Sequence, residues 1–168
     1  LPVVDGSQLT NLPAGGATDI DGLSDGHYNT TSLSVGLGTG ALNSEDVTAV
    51  RYNVAVGGNA LYSNTTGSYN VSSGYGALWS NTTADDNTAS GYRALYLNTI
   101  GDGNTASGSY ALEDNTTGDY NTATGAWSLY NNTTGTGNTA SGVNALSTNT
   151  TGHSNTATGR SALTFNNT

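Results

Sequence analysis

The chain has 168 residues, of which 24 are Gly, 28 Thr, 21 Asn and 18 Ser, together just over half of it. Leu, Ile, Val and Phe make up about a sixth, which excludes an ordinary two-layer globule and leaves a disordered polar chain or a repetitive fold. Twelve acids against three arginines give a net charge of −9 and exclude a surface that neutralises nucleic-acid phosphates.

Residues 1–28 hold both prolines, Pro2 and Pro13, and several Asp-Gly pairs, and read as an extended connector or junction. Asp19, Asp21 and Asp25 suggest a calcium loop, but their spacing fails the EF-hand pattern. The chain begins at Leu1 without Met or a signal peptide, so a fragment or processed product is expected. Residues 29–52 read as an atypical first coil or cap, in which Gly38, Ala41 and Leu42 stand as in the repeat that follows.

From Asn53 the sequence is written in seven 17-residue lines, beginning at Asn53, Asn70, Asn87, Asn104, Asn121, Asn138 and Asn155, the last one truncated at Thr168. The pattern is N-x-A-x-G-x-x-A-L-x-x-N-T-T-G-x-x. Position 5 is always Gly: Gly57, Gly74, Gly91, Gly108, Gly125, Gly142 and Gly159. Position 9 is always Leu: Leu61, Leu78, Leu95, Leu112, Leu129, Leu146 and Leu163. Position 12 is always Asn, including Asn64, Asn81, Asn98, Asn115, Asn132 and Asn149. This regularity favours the repetitive fold over the disordered alternative.

The strict Gly marks a positive φ or an approach that a Cβ would block. The Asn columns are expected to pair into ladders from coil to coil, and N-T-T-G to form a turn. Thr88 to Ser90 and Ala94 to Tyr96 are both expected as short strands. The fold class is therefore all-β, a parallel β-roll or β-solenoid with coils about 4.8 Å apart. One Leu and two Ala per coil make a thin core. On a strand, Ala at position 8 and Leu at position 9 would face opposite ways. One would fill the coil and the other would pack on a second chain, which predicts a cyclic homo-oligomer.

Lines such as Asn87 to Thr99 resemble repeats of phage tail fibres and bacterial surface fibres. More loosely they resemble the β-roll heads of trimeric autotransporter adhesins, whose repeats are shorter. Asp5 to Pro13 is similar to the segment that often precedes such regions. The resemblance implies a left-handed roll and a homotrimer acting in attachment, on a virion tail fibre or a bacterial cell surface. It also implies a downstream part, in many such proteins a chaperone domain.

Specificity is expected in the variable columns. Tyr75, Trp79, Tyr92, Tyr96, Tyr110, Trp127 and Tyr130 offer either a surface for glycans and other cell-surface components or a coil-to-coil stack. Asp85, Asp86, Asp102 and Asp119, with Glu113 and Asp114 nearby, read as a solvated acidic edge in preference to a Ca²⁺ site. His27 and His153 read as surface residues. The N-x-T sequons at Asn64, Asn81, Asn115, Asn132 and Asn149 follow from the turn motif.

No nucleophilic triad is recognisable. Glu113 and Asp114, placed on a strand, would diverge and fail as a glycosidase pair. A non-enzymatic attachment segment without cofactor or metal is expected. It has no Cys for disulfides and no apolar run near the roughly 20 residues that span a bilayer. Two alternatives are a purely structural shaft and an ice-binding solenoid. The latter is suggested by Thr122 with Thr124 and Thr156 with Thr158, although position 4 is mostly Ser.

Overall fold

The computed structural model describes residues 26–29, as backbone, and 31–166. Of the connector expected over residues 1–28, the part before residue 26, with Asp19, Asp21 and Asp25, lies outside the described residues, and residues 26–28 belong to a strand of the sheet. Among the described residues, nine strands form one sheet in sequence order. They are β1 (Gly26–Asn29), β2 (Ser34–Leu37), β3 (Val54–Val56), β4 (Val71–Ser73), β5 (Thr88–Ser90), β6 (Thr105–Ser107), β7 (Thr122–Thr124), β8 (Thr139–Ser141) and β9 (Thr156–Thr158). β1 runs antiparallel to β2, and β2 to β9 are parallel. The chain is a β-solenoid whose coils advance by 17 residues, as Thr88 pairing with Thr105 shows. The step from Val35 to Val54 is two residues longer. That extra length is pinned by Asp46, which accepts from the Thr48 amide at 2.9 Å and from Arg51 Nη2 at 3.3 Å.

Each coil has one strand, not two. Positions 2 and 4 point outward and position 3 inward, so β3 to β9 all alternate exposed, buried, exposed. The expected second strand at Ala94 to Tyr96 is a turn. Leu95 has φ 53°, and the other position-9 leucines share this left-handed conformation. Such a backbone turns both Cβ atoms inward, so Ala94 and Leu95 are each fully buried in the same coil. The prediction that Ala and Leu face opposite ways is thereby corrected. No Ala column remains outside for a second chain.

A non-glycine residue at positive φ costs about 1–2 kcal/mol. Burying the Leu side chain contributes a comparable or larger ~1.5–3 kcal/mol. The turn also leaves no polar group orphaned. Leu95 N–H donates to the Ala111 carbonyl at 3.0 Å, and the Leu95 carbonyl accepts from Asn98 N–H at 3.2 Å.

Glycine at position 5 meets both conditions expected of it. Gly91 has φ 143°, and a Cβ there would lie 2.6 Å from the Gly108 carbonyl carbon. Each position-5 glycine from Gly57 to Gly142 faces the next one in this way.

Two buried Asn ladders run along the axis, as expected. Asn98 Nδ2 donates to Asn81 Oδ1 at 3.2 Å and to the Gly101 carbonyl at 2.9 Å. At position 1, Asn104 N–H donates to Asn87 Oδ1 at 2.9 Å, while its Nδ2 donates to the Gly118 carbonyl at 2.8 Å. A third ladder uses Thr at position 13: Thr99 Oγ1 donates to the Thr116 carbonyl at 2.9 Å. The sequon asparagines Asn64, Asn81, Asn115, Asn132 and Asn149 are fully buried in these contacts, so the folded chain offers none of them to a glycosyltransferase. Among the described residues no helix is long and apolar enough to cross a membrane.

Candidate functional site: an aromatic flank with a buried ion pair

The turn that closes each coil carries three outward columns, at positions 6, 7 and 10. Because each coil repeats the same backbone, a side chain in one of these columns lands on its counterpart one coil on. Tyr62, Trp79 and Tyr96 form a stack at position 10, with centroids 5.7 and 5.4 Å apart. Tyr75 stacks on Tyr92 at 5.7 Å. Tyr110 stacks on Trp127 at 5.9 Å and meets Tyr92 and Tyr130 edge-on at 5.3 and 6.5 Å.

The seven aromatic residues named from the sequence thus fall into two neighbouring groups. Trp79 and Tyr96 make one; Tyr75, Tyr92, Tyr110, Trp127 and Tyr130 make the other. In the stacked pairs the rings face one another along the axis. Ring edges, more than ring faces, are therefore what the stacks leave to solvent. Tyr75, Tyr92 and Trp127 are the most exposed of the seven.

Between the two groups lies a feature that the residue types alone did not reveal. Glu113 occupies position 10, where neighbouring coils place Tyr96 and Tyr130. Arg93, at position 7 of the coil before, donates from Nη2 to Glu113 Oε1 at 2.9 Å. Its guanidinium also sits 4.0 Å from the centre of the Tyr96 ring. Glu113 is 3% exposed, and its Oε2 and Arg93 Nε have no hydrogen-bond partner.

Burial pushes the Glu113 carboxyl above the usual range; Arg93 opposes this, Asp114 adds to it and the Tyr130 hydroxyl opposes it. Asp114 is raised by burial against the pull of Arg93. Tyr130 is raised by burial, then by Glu113 and Asp114. One guanidinium thus serves three acidic groups that all lean toward their protonated forms. Glu113 and Asp114 sit in a turn, not on a strand, so the expectation that they diverge on a strand does not apply. The signal that pointed to this pair was present: an Arg at position 7 and an acid breaking the aromatic column one coil later.

A second aromatic edge, at position 17, was not singled out from the sequence. Tyr52 stacks on Tyr69 at 5.5 Å, and Tyr120 stands free of them at 69% exposure. Beside it runs the acidic column. Asp85, Asp102 and Asp119 each use Oδ1 to accept the position-16 amide of the coil before, from Ser68, Asp85 and Asp102 at 2.7, 2.8 and 2.8 Å. His153 continues the column, its Nδ1 accepting from Thr136 N–H at 3.0 Å. Among the described residues no group of three or more acids and histidines is placed to hold a metal ion.

No family model, no curated protein and no solved structure matches this chain.

Proposed function

We propose that this chain is a non-enzymatic segment of a homotrimeric, left-handed attachment fibre. It acts outside the cell, on a virion tail or a bacterial surface. Its aromatic flank recognises glycans or other components of a target-cell surface. The observation that carries the reading is a division of labour among the columns. The invariant Gly, Leu and Asn are spent on φ, core and ladders, whereas most of the aromatic residues cluster on one outward flank that is free to differ from coil to coil. Tyr hydroxyls and the Trp127 edge give that flank polar groups over apolar area, which suits polyhydroxylated ligands. The thin core, with one Leu per coil, favours association of several chains.

The test is a glycan array probed with the folded chain and with Trp127→Ala. Selective binding that Trp127→Ala abolishes, with the circular dichroism spectrum unchanged, supports recognition at the flank. Silence across the array, or binding indifferent to Trp127, overturns it and leaves a shaft. Light scattering that finds a folded monomer at micromolar concentration removes the homotrimer from the reading.

A further inference from the structure

The outer face of the sheet is uncharged and hydroxylic over five successive strands. β5 to β9 all read Thr-Ala-Ser or Thr-Ala-Thr, with the Ala inward and both hydroxylic residues exposed. The strands are in register, so the side chains form two straight ranks. Neighbours along a rank are about 4.8 Å apart, and the ranks are about 6.6 Å apart.

Three further observations bear on what this lattice meets. First, the hydroxyls are unspent. Among the described residues, Thr88, Thr105, Thr122 and Thr139 make no side-chain hydrogen bond to the chain, whereas Thr99 and its column donate to carbonyls of the next coil. Second, no strand from β2 to β9 carries a charged residue, although the chain bears twelve acids. Third, the ranks are held by buried ladders beneath, so the spacing is fixed before any ligand arrives.

We propose that this face binds ice. A rigid, uncharged two-dimensional array of hydroxyl and methyl groups matches an ordered water lattice, which is itself uncharged and periodic. Charged side chains would impose their own hydration on that lattice; here they are kept to other columns. The observations favour this occupant over two others. A flat polysaccharide calls for aromatic platforms, and every aromatic residue of the repeat lies in another column. A second copy of the chain calls for apolar anchors; the exposed apolar residues of this face, Val54, Val56 and Val71, lie at one end beside the half-buried Val35 and Leu37, and β5 to β9 offer none.

The experiment measures thermal hysteresis and inhibition of ice recrystallisation by the folded chain. Thr122→Lys and Thr139→Lys are made on two separate strands, so that one remains if the other fails to fold by circular dichroism. The chain is expected to shape ice crystals and depress freezing, and a folded lysine variant is expected to lose at least half of that hysteresis. Thr116→Val, which removes a hydroxyl already donated within the roll, and Trp127→Ala, on the aromatic flank, are expected to keep it. No hysteresis from the folded chain, or equal hysteresis from a folded lysine variant, overturns the proposal. So does binding to an insoluble polysaccharide that a lysine variant removes. Because Trp127→Ala reports on the flank and the lysine variants on the sheet, the two functional readings fail separately.

Discussion

Arg93 reaches forward one coil to place Nη2 2.9 Å from Glu113 Oε1, and on the way its guanidinium covers the Tyr96 ring. One cation thereby bridges a gap in an aromatic stack. Removing it leaves Glu113 buried and unpaired. Arg93→Met is expected to destabilise the chain by about 3 kcal/mol, at the lower end for a broken buried pair because Arg93 is partly exposed. Urea unfolding at neutral pH measures this, and a loss below about 1 kcal/mol would show that the pair is solvated.

Glu113 also predicts a pH dependence with a definite sign. Its carboxyl is raised from 4.5 in the folded chain, chiefly by burial. A carboxyl raised by folding contributes stability below its unfolded pKa, and that contribution is lost as pH rises through the folded value. Stability should therefore fall as pH climbs above 4.5. Asp114 adds the same sign from 3.8 upward. Asp46 has the opposite sign: held low mainly by the Thr48 amide, it contributes above 3.8 and loses that contribution as pH falls through its folded value. Glu113→Gln should flatten the decline. Denaturation series at several pH values compare the slopes, and parallel slopes in the two proteins would contradict the assignment.

The left-handed leucines make a prediction that volume alone does not. Leu95→Met is expected to cost less than about 1.5 kcal/mol, as a volume-conserving exchange. Leu95→Ile should cost about 1–2 kcal/mol more, because a β-branched residue is strained at φ 53°. Leu95→Ala should cost about 2–5 kcal/mol. If Ile and Met prove equal, the backbone at this position relaxes and the turn is not as described.

Glycines of the same chain should differ sharply in their tolerance. Gly91→Ala places a methyl 2.6 Å from the Gly108 carbonyl carbon, so neighbouring coils must separate. Gly137 has φ 70°, and a Cβ there meets only Ser154 Oγ at 3.7 Å. Gly137→Ala should cost about 1 kcal/mol, the strain of that backbone, while Gly91→Ala should prevent a stable fold. Thermal melts of the two variants decide.

Much of this fold could be read before any coordinates. The spacing of Asn53, Asn70 and Asn87 set the coil, and the invariance of Gly91 and its column followed from contacts that only Gly survives. The Asn98 ladder was legible because an amide carries both a donor and an acceptor. The second strand was misread at Leu95, since a Leu in the left-handed region is rare and hydrophobic alternation cannot signal φ. The aromatic flank was legible as a set of columns. How it divides was not, because whether a ring faces solvent or its neighbour depends on the turn that carries it. The pairing of Glu113 with Arg93 escaped notice for a related reason: the two lie 20 positions apart, one coil plus three residues, and meet only once the coil closes.

The uniform 17-residue register from β3 to β9 also bears on how such a chain can change. Most lines can replace one another in frame, because Asn, Gly and Leu present the same inward contacts to whatever coil lies above or below; the lines of Arg93 and Glu113 move only as a pair. Unequal recombination between the near-identical lines would then shuffle Tyr, Trp, Asp or Thr to new heights on the rod without disturbing its interior. Surface diversity in this architecture can arise by permuting modules, with point mutation needed only inside the outward columns.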